Sequence, residues 1–397
     1  SARYGIERYY DEILSRTETG SYGNFFAEIF STVGTTLAKR SFGGEGDVAL
    51  TIEPTVQDFL EQVVEKTKDT WSAREIGAIV INPKTGSIYA MAATPSFDPN
   101  TYNEESDVSV FANPLVEKVY EMGSTMKPLT MAAGIDVGAV SPATTYNDQG
   151  FGILNGRRFG NYDGKGRGVV SMQEVLNQSL NTGVAFVAER MGYEAFADYF
   201  EQFGLREETG VDLPNELRGL TSSLDNGQPI SYATASYGQG IAVTPINLVR
   251  ALSALANGGT LVTPHVTKEL IYSIGVSNPI SYGEGERVIS KETSETITRM
   301  LVTVVDDALI GGGAKNEHLS VAAKTGTAQV PKPGGGYYDD RFLHSFFGDF
   351  SAYDPQLLVF FYILSTVGAE YASQTLTPPF LEMERFLVSY YNVLPDR

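Results

Sequence analysis

Cysteine is absent from the 397 residues, which excludes disulfide bonds, zinc–thiolate sites and a thiol nucleophile together. The compartment stays open, because oxidising surroundings permit disulfides without requiring them. Histidine is scarce as well. The three that exist, His265, His318 and His344, are too scattered to support a histidine metal site or a Ser-His-Asp triad. Any serine chemistry here needs another base. Long apolar runs are also missing: the longest, Leu357 to Leu364 (LLVFFYIL), falls far short of the ~20 residues that cross a bilayer. Its β-branched and aromatic content predicts a buried strand. Basic residues are outnumbered, 29 Lys and Arg against 48 Asp and Glu, for a formal net charge of −19. That field opposes nucleic acid and anionic membrane surfaces, no local basic patch stands out, and no nucleic-acid partner is expected.

What is present suits a packed protein. Hydrophobic residues make up 42% of the chain, enough for one large domain or two ordinary ones, and a disordered reading is excluded. The first residue is Ser1 and no basic-then-apolar leader follows, so a start within a longer protein is expected, with a signal or anchor cut off or never present. Residues 1–47 combine a short charged helical segment (IERYYDEIL) with a Gly-rich polar run ending in Ser41-Phe-Gly-Gly-Glu-Gly-Asp47, which reads as a connection, so a boundary is expected near residue 47.

Beyond it, Val48 to Ile52 alternates as a strand and Pro54 to Lys68 has helical apolar spacing. Gly77 to Ile81 and Ser87 to Met91 form a hairpin around the turn Asn82-Pro-Lys-Thr-Gly86. Helices are predicted at Thr125 to Asp136, Met172 to Arg190, Tyr193 to Phe203 and Pro245 to Ala256. Strands follow at Ser345 to Phe350 and Leu357 to Ser365, and a last helix at Pro379 to Tyr391. The order strands, helices, strands, helix predicts an α+β domain, an antiparallel sheet with a helical cluster inserted between its halves.

Three short motifs carry the chemistry. In Glu121-Met-Gly-Ser-Thr-Met-Lys-Pro128, helical i, i+3 spacing brings the Lys127 amine towards the Ser124 hydroxyl, a poor nucleophile until a base takes its proton. Pro128 fits only the first turn of a helix, so Ser124 is expected at a helix N-terminus, where free N–H groups favour an oxyanion. Against this, the residue before a proline resists helical angles. To act as a base Lys127 must lose its proton, which burial and a second lysine would encourage. Ser179-Leu-Asn181 lies inside a helical segment that both polar residues disfavour. A break there would aim them at a cleft, where the hydroxyl can relay a proton and the amide can bind a lysine and a peptide carbonyl. Lys-Thr-Gly occurs twice. Lys84-Thr85-Gly86 is ordinary turn chemistry, whereas Lys324-Thr325-Gly326-Thr327 sits in a small-residue strand. At a sheet edge it would offer a cation, a hydroxyl and, through Gly326, close backbone approach to an acyl substrate ending in a carboxylate.

The order Ser124-x-x-Lys127, Ser179-x-Asn181, Lys324-Thr-Gly326 resembles the signature of penicillin-binding proteins and serine β-lactamases, a motif set known in general form. Leu180, where class A β-lactamases carry Asp, argues against that class. Longer stretches, among them DVALTIEPTVQ (Asp47 to Gln57) and SYGQGIAVTPINLVRALSALANGGTLVTPHV (Ser236 to Val266), resemble class B penicillin-binding proteins, the monofunctional peptidoglycan transpeptidases; Tyr4-Gly-Ile-Glu7 resembles the end of their N-terminal pedestal. The resemblance implies the penicillin-binding, serine β-lactamase-like fold over residues 48–397 and a pedestal remnant at 1–47. It implies an extracytoplasmic enzyme anchored by an N-terminal helix absent from this chain. Ser124 would attack the penultimate D-alanine carbonyl of a stem peptide with Lys127 as base. Ser179 and Asn181 would relay the proton and hold the donor, and Lys324 and Thr325 would bind the carboxylate. The backbone N–H groups of Ser124 and Thr327 would form the oxyanion hole. β-Lactams would mimic the donor, a membrane glycosyltransferase is the implied partner, and no metal or organic cofactor is indicated. A D,D-carboxypeptidase of the same fold, and a β-lactam sensor or silent division scaffold, are the alternative readings.

Overall fold

The computed structural model describes residues 3–14, 46–272, 276–366 and 368–397. The Ser41–Asp47 connection therefore falls almost wholly outside the described residues. At the centre is a five-stranded antiparallel sheet of β1 (Glu75–Ile81), β2 (Ile88–Thr94), β3 (Val321–Pro331), β4 (Tyr337–Phe350) and β5 (Leu358–Leu364), in the order β3-β4-β5-β1-β2. The hairpin β1–β2 and the strands near 345 and 360 stand where the alternation and apolar runs put them. β4 is longer than predicted, because its first half is a polar arm beyond the buried Leu343–Phe350 stretch.

Both faces of the sheet are covered, and the period of two sorts the side chains between them. Ile76, Ala78 and Val80 of β1, with Val359, Phe361 and Ile363 of β5, pack against α1 (Pro54–Trp71) and the C-terminal helix. Ile79, Ile81, Leu358, Phe360 and Tyr362 face the helical lobe. Burying each large apolar side chain contributes about 1.5–3 kcal/mol, and a one-residue slip would exchange the two sets, so the register is firmly held.

The helical lobe is built from α2 (Lys127–Asp136), α3 (Met172–Asn177), α4 (Asn181–Met191), α5 (Pro245–Ala256) and α6 (Lys291–Thr303). Leu129, Val175, Val184, Leu248 and Ile297 join one core with Phe196 and Phe200. Their starts follow ordinary rules. Pro245 and Pro128 occupy first turns, and Thr244 and Ser290 cap α5 and α6 by accepting N–H bonds from Asn247 and Thr293. α7 (Thr377–Tyr390) closes the chain against α1, with Phe386 stacked on Phe59 at 4.0 Å between ring centroids. The strand expected at Val48 to Ile52 runs Gly46–Leu50 and pairs with Thr267–Tyr272, a partner that sequence reading did not identify. No described helix is long and apolar enough to cross a membrane.

Candidate active site

Gly123–Met126 forms a single 3-10 turn that runs straight into α2, so Ser124 sits at a helix entrance. Lys127, despite preceding Pro128, is helical at φ −58° and ψ −38°. The steric objection to that conformation is overridden by packing: Lys127 is fully buried. The turn is pressed into place from two sides. Gly123 adopts φ +62° and donates its N–H to Gly238 O at 3.2 Å. A Cβ on Gly238 would lie 2.3 Å from Gly123 O, so only glycine permits the approach. From β4, Ser345 Oγ donates to Met122 O at 2.7 Å and lies 3.0 Å from Thr125 Oγ1.

The helix expected over Met172 to Arg190 breaks at Gln178–Leu180, between α3 and α4, as the paired Ser and Asn suggest. Ser179 occupies the left-handed region at φ +54°, a costly conformation for a residue with a side chain. It meets both lysines there. Ser179 Oγ accepts from Lys127 Nζ at 3.2 Å and from Lys324 Nζ at 3.0 Å, and the Ser179 carbonyl accepts a further bond from Lys127. With its lone pairs used by amines, the hydroxyl hydrogen is left to be donated elsewhere.

Burial, and then the charge of Lys324, pull the Lys127 amine well below the ordinary lysine range. Burial lowers Lys324, which is 3% exposed, to about 7. The second cation that the mechanism asks for is thus supplied by the third motif. β3 is the edge strand of the sheet, and Ser124, Ser179, Asn181, Lys324, Thr325 and Thr327 all line one cleft of about 1140 Å³ where that edge meets the helical lobe. Lys84-Thr85-Gly86 is in the β1–β2 turn, with Lys84 paired to Asp354.

Two residues are placed differently from expectation. Gly326 does not line the cleft. A Cβ there would come within 2.3 Å of Ser345 Oγ, 2.7 Å of Met122 O and 2.9 Å of Thr125 N, so the glycine admits the turn that carries Ser124, not a ligand. The Asn181 amide nitrogen, expected to donate to a peptide carbonyl of a ligand, donates to the protein's own Gly160 O at 2.8 Å. That carbonyl belongs to a hairpin, Phe151–Leu154 with Arg157–Gly160, whose Asn155-Gly156 turn is a strong local signal. Below it, Asp148 and Asn161 hold Thr182 at the start of α4: Thr182 Oγ1 donates to Asp148 at 2.7 Å and to Asn161 Oδ1 at 3.1 Å.

Glu121 was not singled out by sequence. Its carboxylate accepts bonds from Tyr337 OH at 3.2 and 3.0 Å, tying the segment that leads into Ser124 to the β3–β4 hairpin. Burial raises it to about 7, against the pull of the Tyr337 bond and of the Gly240 N–H.

Sheet, helical lobe and paired lysines put the molecule in the class of penicillin-recognising serine proteins. Residues 76–382 match the model of the penicillin-binding protein transpeptidase domain, and the chain belongs to that family. It is 35% identical over 340 residues to stage V sporulation protein D of Bacillus subtilis, covering 84% of this chain and 52% of the relative. It is 30% identical over 358 residues to the peptidoglycan D,D-transpeptidase MrdA of Acinetobacter baumannii, covering 83% and 51%. The crystal structure of penicillin-binding protein 3 from Mycobacterium tuberculosis superposes with a TM-score of 0.81 at 28% identity, over 89% of this chain and 81% of that one. These matches are of the class B kind expected from the longer stretches. The chain spans about half the length of the curated relatives it matches.

Proposed function

We propose that this chain is the peptidoglycan D,D-transpeptidase unit of a class B penicillin-binding protein. The observation that carries the reading is the convergence of Lys127 and Lys324 on Ser179 Oγ, in the cleft that Ser124 also lines. A lysine pushed towards its neutral form by burial and a second cation can take the Ser124 proton as its oxygen attacks the penultimate D-alanine carbonyl. The peptide C–N bond breaks, and the proton passes by way of Ser179 to the departing D-alanine amine. An amine from a second stem peptide then attacks the ester and gives up a proton, and Ser124 recovers its hydrogen. Thr325 and Lys324 hold the donor carboxylate, Asn181 orients the donor from the opposite wall, and the backbone N–H groups of Ser124 and Thr327 receive the oxyanion. Gly326 serves by letting β3 lie against the nucleophile's turn. The related M. tuberculosis protein has been crystallised with aztreonam and with ampicillin, in keeping with β-lactam recognition.

The reading extends to the whole protein. It works on the extracytoplasmic face of the cell membrane, tethered through its N-terminal side, with a membrane glycosyltransferase as partner. Residues 1–47 are the end of a pedestal and its linker, and residues 48–397 the transpeptidase domain. Tyr10 and Ile13 pack with Leu270 into a small core that bridges the two units.

Intact-mass spectrometry after incubation with a penicillin tests the reading. A single slowly lost adduct, absent from Ser124→Ala, is expected. Rapid turnover would indicate a β-lactamase, and no adduct on the unaltered chain would overturn the proposal.

A further inference from the structure

The acidic balance of the chain is reversed at one place. The hairpin arm Arg157–Gly160 forms part of the cleft wall and presents two adjacent arginines. Arg167, Arg206, Arg218, Arg250 and Arg397 are each paired with a carboxylate. Arg157 and Arg158 are exposed and, among the described residues, form no ion pair; Arg158 rests only on the Phe151 ring, 4.3 Å from its centroid.

The hairpin that carries them is fixed at both ends. Gly160 O accepts from Asn181 at its base, and at its tip Asn155 Oδ1 accepts from Ile230 N at 3.2 Å. Asn155 and Gly156 both have positive φ, +49° and +72°, the tight two-residue turn that matches strand twist. Lining the cleft with the arginines are the uncharged polar residues Asn226, Gln228, Ser231 and Thr234; among the described lining residues the other charges are Lys324 and Glu370.

We propose that Arg157 and Arg158, whose long side chains leave the strand on opposite faces while both residues line the cleft, form a carboxylate-binding subsite for the second substrate, the amine-bearing acceptor peptide. The inference rests on the transpeptidase reading. The donor's carboxylate is assigned to Lys324 and Thr325 on the sheet side and departs with the released D-alanine. A second anion site, on the helical-lobe wall of the same cleft, suits a ligand that arrives afterwards. Arginine binds a carboxylate in a two-pronged fashion, so it fixes orientation as well as affinity.

The test uses the full chain with a thioester analogue of the acyl-D-alanyl-D-alanine donor. Two acceptor peptides that differ only in carrying a carboxylate or a carboxamide compete for the acyl group, and mass spectrometry counts the two cross-linked products. The unaltered protein should favour the carboxylate acceptor by about tenfold, and the preference should shrink as salt is added. Arg157→Gln with Arg158→Gln should bring the ratio close to one. A ratio near one in the unaltered protein overturns the proposal, as does transfer to neither acceptor by a protein that still takes the penicillin adduct. A ratio preserved in the double variant also overturns it, even if total turnover falls, because mere distortion of the hairpin would lower both products together. Failure of the penicillin adduct on the unaltered chain would instead remove the transpeptidase reading, and this subsite with it.

Discussion

The amines of Lys127 and Lys324 share one acceptor, Ser179 Oγ, at 3.2 and 3.0 Å. Two buried ammonium groups so placed repel each other, and the pair releases a proton far more readily than free lysines do. Acylation by a penicillin should therefore rise with pH and level off once the pair has lost that proton. Burial alone puts Lys324 at about 7, and Lys127 is pulled down by both burial and its neighbour. The rising limb is expected well below the ordinary lysine range, measured as acylation rate from pH 5 to 11. A midpoint near the ordinary lysine value of about 10.4 would exclude Lys127 as the base.

Ser179 separates two contributions that a single substitution would mix. Its left-handed backbone favours glycine, while its hydroxyl occupies both lysines. Ser179→Ala keeps the backbone cost and removes the acceptor; Ser179→Gly removes the acceptor and relieves the backbone. Both should slow acylation by at least about tenfold, and the glycine variant should be the more stable by roughly 0.5–1 kcal/mol in denaturant unfolding. Equal stabilities would mean that the surroundings, not the φ angle, govern this position.

Gly326→Ala probes the contact beneath the turn that carries Ser124. The added methyl meets Ser345 Oγ, Met122 O and Thr125 N, two of them backbone atoms of the turn that carries Ser124. Overpacking of this kind costs about 1–3 kcal/mol. A lowered melting temperature together with a large loss of penicillin acylation is expected, while the cleft-lining Thr325 keeps its place. Normal acylation would show that the turn moves without consequence.

Glu121 gives a stability signature with a definite sign. Its carboxyl is raised to about 7 in the fold from an ordinary value of 4.5. Between those values the unfolded chain loses this proton while the folded one keeps it, so stability falls as pH rises through the window and is level above it. Glu121→Gln removes that dependence. Its advantage over the unaltered protein should be negligible at pH 4, grow up to about pH 7 and then stay constant. After allowance for solvent access it should be on the order of 1 kcal/mol, read from melting curves across pH.

Much of this site is written locally. The Ser-x-x-Lys spacing, the two polar residues that interrupt a helix at Ser179, and the small-residue strand at Lys324 each announce themselves within a few positions. What escaped was non-local. Ser345 reaches Met122 across a separation of 223 residues, and Tyr337 reaches Glu121 across 216. Gly326 looked like a concession to a ligand because nothing in its neighbours names the turn that it accommodates. In Leu357–Leu364 burial on both faces removes the polar alternation that would assign side chains to α1 or to the helical lobe. The Asn155-Gly156 hairpin was readable by its turn chemistry, but its strands are short and half exposed, so little apolar pattern flanks it.

The strand order has a consequence for how the molecule comes into being. β3, which brings Lys324, is held in the sheet only through β4, β4 is joined by β5, and β5 alone connects them to β1. A chain emerging from the ribosome or a translocon carries Ser124 and Lys127 long before residue 364 appears, and until then the first hairpin has nothing to bind on one side. Such long-range pairing is slow to nucleate. The second lysine thus reaches Ser179 only when the sheet closes, so a nascent or truncated chain should be inert towards β-lactams, and acquisition of acylation would mark the last step of folding.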